Sequence, residues 1–126
     1  MPKQTPEIWE LNGREIELTS LDRRYWPDDD LTKGDMLDYY RQIAPLMLPF
    51  LRERPLTLRV FPRGIGGPGY WRREKADAAP DWLRSVTYQP ESRSDTIEVP
   101  LIDDAAGLIW YAGHAAIEVH QWLSVA

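Results

Sequence analysis

The sequence predicts a single α+β domain, and three observations carry that reading. Asn12-Gly13 sits between two runs of alternating apolar residues, an apolar stripe at helical spacing follows from Thr32, and "PLTLRVF" alternates as a strand does. A chain of 126 residues suits one domain, with no second one expected between 1 and 126.

Each element follows in order. "EIWELNGREIEL" reads as a β-hairpin, because Asn-Gly supplies the two positive φ angles of a type I′ turn. Met36, Leu37, Tyr40, Ile43, Ala44, Met47 and Leu51 then mark an amphipathic helix that starts after Thr32. Thr32 and Asp35 have capping-box spacing, so Lys33 is the first helical residue. Pro45 and Pro49 lack backbone donors, which predicts a kink or break near Ala44 and a second short helix to about Leu51. Leu56, Leu58 and Val60 form the buried side of a strand. "PRGIGGPGYWRREK" is a loop up to Tyr70, "PDWLRSV" a short helical turn, and "DTIEVPLI" a strand edged by Pro100. From Asp103 to about Leu123 a long core helix is expected, capped by Asp103 or Asp104 and carrying Leu108, Ile109, Ala112, Ala115, Ala116, Val119 and Leu123.

Composition narrows the chemistry. Hydrophobic residues make up 43% of the chain and charged residues 28%, with six tryptophans, which is the make-up of a folded protein. The absence of cysteine removes disulfides, thiol nucleophiles and thiolate zinc sites, and fits a reducing cytoplasm. "MPKQTPEIWE" has no signal-peptide pattern and no run approaches the roughly 20 apolar residues of a membrane span, so a cytoplasmic protein is expected. A net charge of -5 argues against bulk attraction to nucleic acid, but Arg52, Arg54, Arg59, Arg63, Arg72, Arg73 and Lys75 face only Glu53 and Glu74 in their segment. That local surplus of positive charge is the candidate anion surface.

Three stretches could carry chemistry. Asp28, Asp29 and Asp30 fail as a calcium loop, since the sixth position from Asp28 is Lys33 and not glycine. As a D-x-D pair they follow Pro27 rather than lying on a strand, and a solvated turn is the simpler reading. Lys33 opposes the helix dipole, which favours acids there by about 0.3–1 kcal/mol. Either it helps bind an anion together with free backbone N–H groups, or it points into water beside the aspartates. "GIGGPGYWRR" joins a glycine loop to two aromatics and two arginines, a composition suited to single-stranded nucleic acid, although an aromatic tucked into the core would look the same. His114 and Glu118 stand four apart but lack a third ligand, which leaves His114 packed or facing solvent. His120, near the expected helix end beside Trp122, is better placed for a role.

"LTSLDRRYWPDDDLTKGDMLDYYRQIAPLMLPFLRERPLTLRVFPRG", the aromatic pair, "APDWLRSV" and "DDAAGLIWYAGHAAIEVHQW" together resemble the N-terminal portion of the bacterial ligase D polymerase domain. That domain belongs to the archaeo-eukaryotic primase superfamily and serves non-homologous end joining. The similarity runs from about Glu15 to Trp122.

The resemblance implies roles residue by residue. Lys33 matches a lysine that holds the 5′-phosphate of a DNA break, and Arg23 stands where the family has a second lysine for the same phosphate. An arginine can grip phosphate too, and bidentately. Tyr70 and Trp71 match paired aromatics, usually phenylalanines, that stack on DNA near the template. Arg63 adds a basic contact, as do Arg72 and Arg73, which replace a glutamine and a lysine. His120 matches the active-site histidine.

The family's metal-binding D-x-D lies on a strand beyond that histidine, so no metal or other cofactor is expected on this chain, whereas the full domain uses manganese or magnesium. The resemblance implies DNA ends bearing a 5′-phosphate as partner, with a C-terminal catalytic portion, a ligase and a Ku-type end-binding protein as further partners. Self-association is one way to cover apolar surface that such a portion would otherwise bury. The alternative is a non-catalytic protein that keeps the fold for protein contacts.

Overall fold

The computed structural model describes residues 7–75, 78–91 and 94–122. Strands β1 (Glu7–Leu11) and β2 (Arg14–Leu18) form the expected hairpin, with Asn12 at φ 53° and Gly13 at φ 75° supplying its turn. Two very short strands follow, β3 (Arg24–Trp26) and β4 (Leu31–Thr32), paired antiparallel around a 3₁₀ turn at Pro27–Asp29. The three aspartates occupy this exposed turn, and Asp30 pairs with Arg24 at 3.0 Å.

Helix α1 (Lys33–Leu51) starts where the capping signal places it. The Thr32 hydroxyl accepts from the Asp35 backbone N–H at 3.1 Å, and the Asp35 carboxylate accepts from that of Thr32 at 2.9 Å. The expected break near Ala44 is absent: α1 runs unbroken through Pro45 and Pro49. Both prolines lie on its solvent side, where water can satisfy the carbonyls that lose their donors.

Strand β5 (Leu56–Val60) is the centre of a three-stranded antiparallel sheet, flanked by β6 (Tyr70–Arg72) and β9 (Ala116–Gln121). Between them in sequence, β7 (Ser85–Tyr88) and β8 (Ile97–Pro100) form a separate pair. The helical turn expected at "PDWLRSV" is replaced by an ordinary turn with Leu83 N–H on Pro80 C=O, after which Ser85 and Val86 enter β7.

The long C-terminal helix is the main correction. Helix α2 covers only Ala105–Gly113, capped by Asp104, whose carboxylate accepts from Gly107 N–H at 2.9 Å. Ala115, at φ 71°, turns the chain into β9, so Ala116, Val119 and His120 belong to a strand. Leu123 lies outside the described residues. Alanines at helical spacing masked the alternation in "AIEVH", where isoleucine and valine favour a pleated strand.

Leu56, Leu58 and Val60 are buried with Leu37, Ala44 and Leu48 of α1 and Leu108, Ile109 and Tyr111 of α2. Both helices therefore share the core with one face of the sheet. Among the described residues no helix is long and apolar enough to cross a membrane.

Candidate nucleic-acid interface

Residues directly opposite in an antiparallel ladder project to the same face, so register assigns each side chain of the three-stranded sheet. Thr57 pairs with His120, and Arg59 with both Glu118 and Trp71. These five side chains share the face turned away from the core. Val60 pairs with Tyr70, and Leu58 with Arg72, on the opposite face. Tyr70 and Trp71, adjacent in sequence, thus project to opposite faces of β6.

On the outer face the Trp71 ring meets His120 edge-on at 5.1 Å between centroids, and the Arg59 guanidinium lies 5.1 Å from the Trp71 ring and 5.2 Å from Phe61. Glu118 lies 3.4 Å from His120 Nε2 and 3.7 Å from Arg59 Nε, which orients both. The Trp122 indole donates to Thr57 Oγ1 at 3.0 Å, and its ring meets Tyr88 at 5.0 Å. Thr57, Trp71, Arg73, Tyr88, His120 and Trp122 line an open cleft of about 690 Å³, with Arg59 and Glu118 packed behind Trp71 and His120. Half-exposed aromatic rims beside arginines can stack a base and hold its phosphates.

Across β6 lies a second hollow of about 510 Å³, lined by Tyr70, Arg72, Lys75, Tyr111 and His114 among others. Arg72 Nη2 donates to the Tyr70 hydroxyl at 3.1 Å. Pro62, on the rim, accepts from Arg23 Nη1 at 3.1 Å through its carbonyl.

Lys33 is the one buried charged residue among those described, only 5% exposed. Its Nζ donates to Thr19 C=O at 2.8 Å, and no carboxylate of the described residues pairs with it. Burial and then the neighbouring Arg23 guanidinium pull its pKa down to about 8. A lysine pointing into water is therefore ruled out. The backbone contribution expected at this helix start also changes: the N–H of Lys33 goes to Arg23 C=O at 2.8 Å, that of Gly34 to Leu21 C=O at 2.9 Å, and that of Asp35 to Thr32. Only the ammonium and the dipole remain for an anion.

The structure thus brings Arg23 and Lys33 together, and brings Trp71 and Arg73 to His120. Tyr70 and Arg72 project to the other face of β6 from Trp71, yet all three meet Arg73 in a hollow of about 370 Å³ along that strand, and Arg63 is left exposed on the glycine loop. His120 stands on β9, not at a helix end. The basic segment also divides, since Arg52 donates to Asp103 C=O and Arg54 to Trp122 C=O, away from the loop arginines. Arg59 and Glu118 were missed as partners of the cleft because only strand pairing brings them together. No group of three or more His, Asp or Glu side chains among the described residues could hold a metal ion.

The sequence pattern of the LigD primase-polymerase domain matches residues 32–126. This chain belongs to that family. It is 40% identical over 113 residues to the multifunctional non-homologous end joining DNA repair protein LigD of Mycobacterium tuberculosis, a match spanning 88% of the chain and 15% of that protein. The bifunctional non-homologous end joining protein LigD of Bacillus subtilis is 28% identical over 105 residues, spanning 83% of the chain and 16% of the relative. The solved polymerase domain of M. tuberculosis ligase D in complex with DNA superimposes with a TM-score of 0.79 at 39% identity, over 84% of this chain and 36% of that one. The α+β fold is thus that of the LigD polymerase domain, and the chain spans about one seventh of the curated relatives' length.

Proposed function

We propose that this LigD-family chain reads DNA ends in non-homologous end joining, gripping a 5′-phosphate through Lys33 and Arg23 and stacking a base on Trp71 beside His120. One observation carries the reading. Lys33 is a buried ammonium with a neighbouring cation and no ion pair among the described residues, an arrangement that raises the free energy of the empty protein and is relieved by an anion. The solved relative named in complex with DNA supports the choice of anion.

The division of labour follows the two faces of β6. The Lys33 and Arg23 side fixes the broken end, while the Trp71 face, with Arg73 and His120, holds the unpaired strand or the nucleotide opposite it. Nucleotide addition requires the manganese or magnesium of the full domain, whose carboxylates the family carries on a strand beyond the histidine. A catalytic portion, a ligase and a Ku-type protein are the partners this reading implies.

The test is equilibrium binding to recessed DNA ends that carry a 5′-phosphate or a 5′-hydroxyl, across a range of salt. A phosphate preference is expected, and Lys33→Ala should remove about 1–2 kcal/mol of it and lower the salt slope by nearly one unit. Equal binding of both ends would end this reading and favour a protein that uses the fold for protein contacts.

A further inference from the structure

His114 lies where the two predicted phosphate ligands are anchored. The hollow beside β6 includes Pro62, whose carbonyl holds Arg23, and the adjoining hollow includes Thr19, whose carbonyl holds Lys33; His114 lines both. Its ring stacks on Trp110 at 3.9 Å, and Nδ1 lies 2.8 Å from Trp110 C=O. A carbonyl only accepts, so Nδ1 carries the hydrogen and Nε2 is the nitrogen that gains or loses a proton.

A second group points the same way. Tyr111, 2% exposed, lines the hollow, and its buried hydroxyl has no hydrogen-bond partner among the described residues. A buried hydroxyl left unpaired is destabilising, and a bound oxygen would satisfy it.

We propose that His114 and Tyr111 are further ligands of the 5′-phosphate, His114 as a third cation switched on by protonation and Tyr111 as a neutral hydroxyl donor. This rests on the reading of Lys33 and Arg23 given above. The groups facing His114 are Lys33 from α1, Arg72 from β6, Glu74 and Lys75 after it, Glu15 and Glu17 of β2, and Tyr111 of its own helix. Without an anion, burial first holds the imidazole below its ordinary pKa; the hydrogen bond to the Trp110 carbonyl pulls it upward, and Lys33 and then Arg72 add smaller downward pulls. A phosphate dianion in the hollow reverses that balance and draws a proton onto Nε2.

Proton NMR of the imidazoles tests this directly, since the chain has two histidines and His120→Gln identifies the other. Adding recessed duplex with a 5′-phosphate should raise the His114 midpoint by about one unit, while the 5′-hydroxyl duplex should leave it in place. In binding, the wild-type to His114→Gln ratio of phosphate preference should grow about threefold or more from pH 7.5 to pH 6.0, a comparison in which titration of the terminal phosphate itself cancels. Tyr111→Phe, which keeps the packing, should lower the preference about threefold or more.

An unmoved His114 midpoint together with a constant ratio would overturn the proposal while leaving Lys33 and Arg23 in place, provided Lys33→Ala still lowers the preference. A wild type that ignores the phosphate would overturn both.

Discussion

Lys33 is held at a site that stability alone would not choose. Its pKa falls from 10.5 to about 8 on folding, so below pH 8 the buried charge opposes folding by on the order of 3 kcal/mol. The unfolded chain binds the proton more tightly, hence stability should rise between about pH 8 and pH 10.5 and this contribution should be flat below pH 7. Lys33→Met should raise stability at pH 7 by about 1–2 kcal/mol, less than the full penalty because Thr19 C=O loses its donor, and should erase the alkaline rise. Denaturant melts from pH 7 to 10 measure both, and a less stable variant at pH 7 would contradict the argument. At the neighbouring cleft, Trp71→Ala should weaken single-strand binding by about 1–3 kcal/mol, whereas Tyr70→Ala should affect it less, because only Trp71 shares a face with His120. Fluorescence anisotropy with a short oligonucleotide compares the two.

Among the elements, the glycine loop depends on one close approach. Ile65 N–H donates to Tyr25 C=O at 2.9 Å, and a Cβ on Gly64, at φ 91°, would stand 2.6 Å from Tyr25 Cα. This contact seats the loop on β3, next to Arg23. Gly64→Ala should therefore cost about 2 kcal/mol or more in stability and weaken DNA-end binding as well, whereas Gly66→Ala, whose Cβ would meet only Pro27 at 3.8 Å, should do neither. Thermal melts with binding assays separate the pair. The same scale shows what the sequence made legible. The hairpin, the α1 cap and β5 were readable because their signals are local: a turn dipeptide, a capping box, an alternation of period two. The β9 strand was not, since its identity is decided by pairing with β5, sixty residues away in the chain, and its alanines fit a helix as well. Lys33 and Arg23 were readable as a pair only through resemblance. Their proximity comes from the short β3–β4 pair, which no propensity marks.

Across the whole molecule, the outer side of α1 exposes Tyr39 at 59%, Leu46 at 73% and Phe50 at 68%, next to β9, which has β5 as its one partner strand among the described residues. An apolar helix face beside an open strand edge is a surface that seeks cover. The purified chain should self-associate with rising concentration, and Leu46→Glu with Phe50→Glu should shift it toward monomer in light scattering, with little loss of stability because neither side chain is in the core. A wild type that stays monomeric at high concentration would contradict this. Exposed apolar segments and unpaired edges are also what chaperones and proteases seize, so this surface is expected to shorten each molecule's survival in a cell. In a pulse-chase experiment the double variant should outlive the wild type, and a shorter half-life would count against the link between this face and turnover.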